Sequence, residues 1–115
     1  MSKQMEELLN EWTKRLGLTD WTIRLEEDLY ELTETGCSGC TEFNEVGKSA
    51  RIELIHPSAY GERIVPYDRE KTLVHELLHL KLWFLQDTGN ELQDRLVHQL
   101  IDDMAKALVN AKRCT

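Results

Sequence analysis

Residues 69–85 read as a helix that is apolar on nearly every side, and this constrains the fold more than any other stretch of the chain. Leu73, Val74, Leu77, Leu78, Leu80, Leu82, Trp83, Phe84 and Leu85 leave no continuous polar face. A helix of that kind has to be covered on several sides, so it belongs in the middle of a fold. Asp68 suits its N-cap and Glu70 suits the positive end of its dipole. The polar residues in its interior are His75, Glu76 and His79.

The flanking segments supply the cover. Residues 2–16 place Met5, Leu8, Leu9, Trp12 and Leu16 at helical spacing, with Gly17 as the stop. Trp21, Ile23 and Leu25 alternate with Thr22, Arg24 and Glu26, as in a half-buried strand. Residues 28–36 are acidic and irregular and read as a loop. A second strand is predicted from Cys37 to Phe43, then a hairpin turn over 44–48 in which Gly47 supplies positive φ. The third strand, Arg51–Ile55, ends at His56-Pro57, because proline cannot donate to the ladder. Residues 57–66 read as a loop. After Gly89, Asn90 and Gln93 form a capping box for a last helix running to about Ala111. Its apolar arc is Leu92, Leu96, Val97, Leu100, Ile101, Met104 and Leu108. The expected architecture is one α+β domain over 1–115: an N-terminal helix, a small, mostly antiparallel three-stranded sheet, the central helix and a C-terminal helix.

Composition removes several function classes. The net charge of −7 comes from 21 acidic and 14 scattered basic residues, which disfavours a nucleic-acid partner. The longest apolar stretch, Leu77 to Leu85, is too short to span a bilayer, so no membrane role is expected. The first residues, Met1 to Glu7, carry no apolar signal core, and the cytoplasm is the expected location. Three cysteines are an odd count for a disulfide framework. The single C-x-x-C of Cys37 and Cys40 has no second pair to complete a structural zinc site, and reads as structural or incidental.

His75-Glu76-Leu77-Leu78-His79 is an H-E-x-x-H motif within the central helix. Positions four apart differ by about 40° and rise about 6 Å, so both imidazoles face one way. Two neutral imidazoles on one face can grip a single zinc ion at about 2.0–2.1 Å each. Glu76 lies about 100° round the helix, too far to ligate comfortably but near enough to take a proton from a water on the metal and pass it to a leaving amine. Shuffling this composition produces the motif in roughly two chains per hundred, and a buried helix offers no cheap home to these three side chains unless something pairs with them. A catalytic zinc wants a third protein ligand. His56, His98 and the acids of the last helix are the candidates. His98 lies at the margin of the apolar arc beside Ile101 and Ala105, Asp102 one turn later could hydrogen-bond an imidazole, and Asp94 and Glu91 share nearly the same azimuth.

These residues resemble the zincin superfamily of metallopeptidases, and within it the very small gluzincin-type proteases called minigluzincins. More distantly, the layout is similar to SprT-like and ImmA/IrrE-like proteins. The resemblance covers about two-thirds of the chain. It departs from the ImmA/IrrE-like pattern at Leu78, where glycine is common, and the chain lacks the zinc-ribbon segment usual in the SprT-like group. In the gluzincin type a downstream helix gives the third ligand, usually Glu, and an acid four residues later supports a zinc histidine. The corresponding pair here is His98 and Asp102, with histidine in place of glutamate. The resemblance implies a zinc metalloendopeptidase acting on a peptide or protein substrate, with Glu76 as general base and acid. It also implies that the strand before the active helix, matched by Arg51–Ile55, borders the cleft and pairs with extended substrate. His56, Tyr60 and Tyr67 are candidates to stabilise an oxyanion, and Cys114 is a remote candidate to cap the zinc. The second reading is a non-catalytic zinc-binding regulatory or interaction module. With so short a chain, a partner protein that completes the cleft fits either reading.

Overall fold

In the computed structural model, which describes residues 2–34 and 36–114, both N-caps expected from the sequence are in place. Asp68 accepts from the Lys71 N–H at 3.1 Å and starts helix α3, Arg69–Lys81. Asn90 accepts from the Gln93 N–H at 3.0 Å and starts α4, Glu91–Arg113. The capping box is not reciprocal, since the Asn90 N–H donates to Thr88 Oγ1 at 3.2 Å. Helix α1, Lys3–Arg15, is capped by Ser2 and stopped at Gly17, whose φ of 69° favours a residue without Cβ. A short helix, α2 (Pro57–Tyr60), occupies part of the segment expected as loop, with Pro57 in its first turn. Helix α3 stops at Lys81, four residues before the expected Leu85, and the chain tightens into a 3₁₀ turn over Trp83–Leu85. The Gln86 amide closes this early end: it donates to the carbonyls of His79 and Leu82, both at 2.9 Å, and Leu82 accepts from the Leu85 N–H as well.

The α+β layout is as expected, but the sheet is mixed rather than mostly antiparallel. Its strands are β1 (Thr22–Leu29), β2 (Gly39–Asn44) and β3 (Ser49–Ile55), in the order β1-β3-β2. The hairpin pairs β2 and β3 antiparallel, from Asn44↔Ser49 to Gly39↔Leu54. β1 lies parallel to β3 on its other side, from Thr22↔Ser49 to Leu29↔Ile55. The segment between β1 and β2 carries the chain past β3's place, and β3 then inserts between them. Alternation along a strand reports which face is buried and is silent on the neighbour's direction. β1 extends to Leu29 through an irregularity after Glu26, where Asp28 has φ 59°, and so takes in the start of the expected loop. In the hairpin turn, Asn44 Oδ1 accepts from the N–H groups of Val46 and Gly47, and positive φ falls on Lys48 (50°) instead of Gly47.

α3 is the central helix: it packs on β2, β3, α1 and α4. Leu73, Val74, Leu77 and Leu80 are fully buried, each worth about 1.5–3 kcal/mol of hydrophobic stabilisation. α4 turns Ile101, Ala105 and Val109 to the core, while Leu92, Leu96 and Leu100 of its expected apolar arc are exposed. The helix's apolar arc is wider than the strip its neighbours cover. Three helices meet at one polar latch. Glu70 accepts from Trp12 Nε1 at 2.7 Å, pairs with Lys112 and lies 3.3 Å from Arg113. Asp68 binds the Arg113 guanidinium at 2.6 and 3.0 Å. No helix among the described residues is long and apolar enough to cross a membrane.

Candidate metal centre

His75 and His79 stand one turn apart on α3, with ring centroids 5.1 Å from each other. His98 comes from α4, its ring 5.1 Å from His75 and 5.4 Å from His79. One nitrogen from each ring falls within 4.8 Å of the other two. The three candidate ligands that helix geometry and the wheel of α4 suggested are therefore together. Asp94 is not among them: its Oδ1 accepts from the Thr88 N–H and hydroxyl at 3.0 and 2.8 Å, closing the turn before α4. Glu91 does not line the cleft, and it is outside the histidine group.

The partners of the rings decide which nitrogens remain. His75 Nδ1 lies 3.3 Å from Asp102 Oδ1, the contact expected of that carboxylate, and Asp102 in turn pairs with Lys106 at 2.7 Å. His79 Nδ1 faces Gln86 Oε1, a partner with no signal in the sequence. With both Nδ1 atoms engaged, the Nε2 atoms of His75 and His79 are the available donors. Burial, with His79 beside it, pushes His75 down to about 4 against the pull of Asp102, so this imidazole is neutral at physiological pH. Burial draws Asp102 upward, but Lys106 and His75 outweigh it and hold its carboxyl below the usual range.

Three imidazole nitrogens suit a borderline-soft divalent ion such as zinc. On a tetrahedral ion at about 2.0–2.1 Å, donors stand about 3.4 Å apart. The observed spacing of up to 4.8 Å leaves only a contraction within reach of side-chain rotation. The donor set fits the ion.

Glu76 is 7% exposed and lies under the sheet. Thr41 Oγ1 on β2 donates to its Oε1 at 2.6 Å. Burial pushes Glu76 up to about 7, with Thr41 pulling the other way and Glu34 adding to the rise. All of these residues line one cleft of about 610 Å³, which β2 borders through Gly39, Thr41 and Phe43.

Other expectations fare differently. β3 is the central strand, paired on both edges, so Arg51–Ile55 cannot take an added strand; among the described residues, the strand with an unpaired edge beside the cleft is β2. His56 is outside the cleft. It caps α2 through Ser58 and stacks on Tyr30 at 4.6 Å. Tyr60 lines the cleft but donates its hydroxyl to the Val65 carbonyl at 2.8 Å. The Tyr67 hydroxyl is buried with no hydrogen-bond partner among the described residues, and burial, opposed by nearby Arg69, pushes it up to about 12. The Tyr60 hydroxyl is thus engaged, whereas Tyr67, which also lines the cleft, carries one unpaired among the described residues. Cys37 and Cys40 line the cleft as thiols, raised by burial and thus protonated at neutral pH. Cys114 caps the far end of α4, about 24 Å along the helix from His98, too distant to cap a metal there. Thr41, Gly39 and Gln86 are the site residues that the sequence did not disclose.

No family model matches this chain, and no curated protein or solved structure matches it either.

Proposed function

We propose that the chain is a zinc-dependent endopeptidase of the zincin type, holding one zinc ion through His75, His79 and His98. The observation that carries this reading is the convergence of three histidine nitrogens within 4.8 Å beside a buried carboxylate. A bound zinc would supply Lewis acidity, polarising a peptide carbonyl and making water easier to deprotonate. The protein's own residues do the rest. Glu76, its proton affinity raised towards neutrality by burial, takes a proton from the attacking water and returns it to the leaving amine. Asp102 and Gln86 fix the tautomers of His75 and His79. An extended peptide would add to the unpaired edge of β2, gripped by main-chain hydrogen bonds that tolerate many sequences. The unbridged thiols of Cys40 and Cys114 suit a reducing compartment such as the cytoplasm, and the net charge of −7 argues against a nucleic-acid partner.

One observation favours a second reading, a non-catalytic zinc-binding regulatory module. The Tyr60 hydroxyl is spent on the Val65 carbonyl and the His56 ring lies outside the cleft, so neither is at hand to stabilise an oxyanion. A partner protein could complete the cleft in that respect. Against it stands Glu76, a buried carboxylate that a purely structural site does not need. A peptide library incubated with zinc-loaded protein separates the two. Cleavage that requires zinc and disappears in Glu76→Gln supports the peptidase, and an inert zinc-loaded wild type supports the module.

A further inference from the structure

We infer that β2 frames the base: Thr41 is a positioning residue that orients the Glu76 carboxylate, and Gly39 leaves the space in which that carboxylate stands. What the orientation serves rests on the peptidase reading. The H-E-x-x-H spacing sets the azimuth of Glu76 on α3 but not the direction of its carboxylate, because a glutamate side chain turns about three bonds. Something outside the helix has to choose. Residues two apart on a strand share a face, and Gly39 and Thr41 form the part of β2 turned to α3.

Each restrains a different part of the carboxylate. Thr41 Oγ1 donates to Oε1 at 2.6 Å, and its β-branched side chain keeps the hydroxyl from swinging. At Gly39, an added Cβ would meet Glu76 Cγ and Oε2 at 3.0 Å and Thr72 Cγ2 at 2.8 Å. Thr72 is itself buried and hydrogen-bonded to the Asp68 carbonyl, so it has no room to yield. The glycine is thus a matter of clearance. β2 holds both residues in register through its pairing with β3, Gly39 opposite Leu54 and Thr41 opposite Ile52. A hydroxyl that only satisfied a buried acid would affect stability. One that aims the acid also affects turnover.

The test uses zinc-loaded wild type, Thr41→Val, Thr41→Ser and Gly39→Ala, with Thr41→Ala replacing the valine variant should that one not fold. Three quantities are measured: peptide hydrolysis, zinc affinity by chelator competition, and the Glu76 conformation in crystals of the metal-free proteins. Thr41→Val is expected to lower kcat about tenfold to a hundredfold, with KM and zinc affinity within about twofold of wild type. Thr41→Ser is expected to restore kcat to within about threefold, and Gly39→Ala to behave like the valine variant. In crystals, Glu76 should turn or spread over several rotamers in Thr41→Val and superpose on wild type in Thr41→Ser. An unmoved Glu76 in Thr41→Val overturns the inference, as does unchanged kcat or a serine variant as impaired as valine. If the wild type cleaves no peptide, the peptidase reading fails, and the crystallographic comparison still decides whether Thr41 orients Glu76.

Discussion

Replacing Glu76 by glutamine should change how the metal-free protein responds to pH, in a direction and by an amount that the structure sets. Glu76 is 7% exposed, and burial raises it from an ordinary 4.5 to about 7. The folded state therefore holds this proton more tightly than the unfolded chain does. Its contribution is fully present below about pH 4.5 and is lost as pH rises through about 7. At about 1.4 kcal/mol per pH unit, the loss amounts to about 3 kcal/mol. Glutamine keeps the shape and an acceptor for Thr41 but does not titrate. The variant should thus gain about 3 kcal/mol on wild type between about pH 4.5 and pH 8. His75 also titrates in this range, depressed to about 4, and costs stability as pH falls below its unfolded value. That loss is common to both proteins and cancels in their difference. Urea denaturation with a chelator present, repeated across the pH range, measures that difference. Parallel stability curves, or a variant that loses ground to wild type as pH rises, would refute the buried-carboxylate account.

Three further outcomes follow from the geometry. Zinc at about a thousand times its Kd should stabilise wild type by about 4 kcal/mol, and His98→Ala should remove about 1.4–2.7 kcal/mol of that, a tenfold to hundredfold loss of affinity. Asp94→Ala should leave the zinc increment intact; scanning calorimetry with and without metal reads both, and a reversed pattern would unseat His98. Leu77→Ala, at a fully buried position on α3, should cost about 2–5 kcal/mol in urea unfolding. Glu70→Ala leaves Trp12 Nε1 and Lys112 short of a partner and should cost about 1.5–3 kcal/mol, less than in a dry interior because Lys112 also reaches Glu11 at 3.1 Å.

The site was legible where helical geometry governs it, and hidden where strand pairing does. His75, Glu76 and His79 follow from spacing along one helix, and His98 and Asp102 from one wheel of another. Asp68 and Asn90 disclosed the starts of α3 and α4 because a cap is a local interaction. Thr41 and Gly39 could not be found in this way. Their meeting with Glu76 depends on β2 being the edge strand of a mixed sheet, and alternation of apolar residues is the same in every strand order. That ambiguity also misdirected the substrate edge to Arg51–Ile55. Gln86 stayed hidden because it acts only once α3 has ended at Lys81, and the apolar run to Leu85 masks that end. His56 and Tyr60 were suggested by residue type in a loop, and type carries no information about where a ring or hydroxyl is engaged.

The latch of Asp68 and Glu70 with Lys112 and Arg113 grips α4 at its last turn, whereas His98 sits two turns from its first. Between Glu91 and Leu100 none of the helix's side chains is fully buried, so this half is held far less firmly than the half carrying Ile101, Ala105 and Val109. An ion shared between His98 and α3 would rivet the loose end. Amide exchange in residues 91–100 should slow sharply when zinc is added, and exchange in residues 105–113 should barely change.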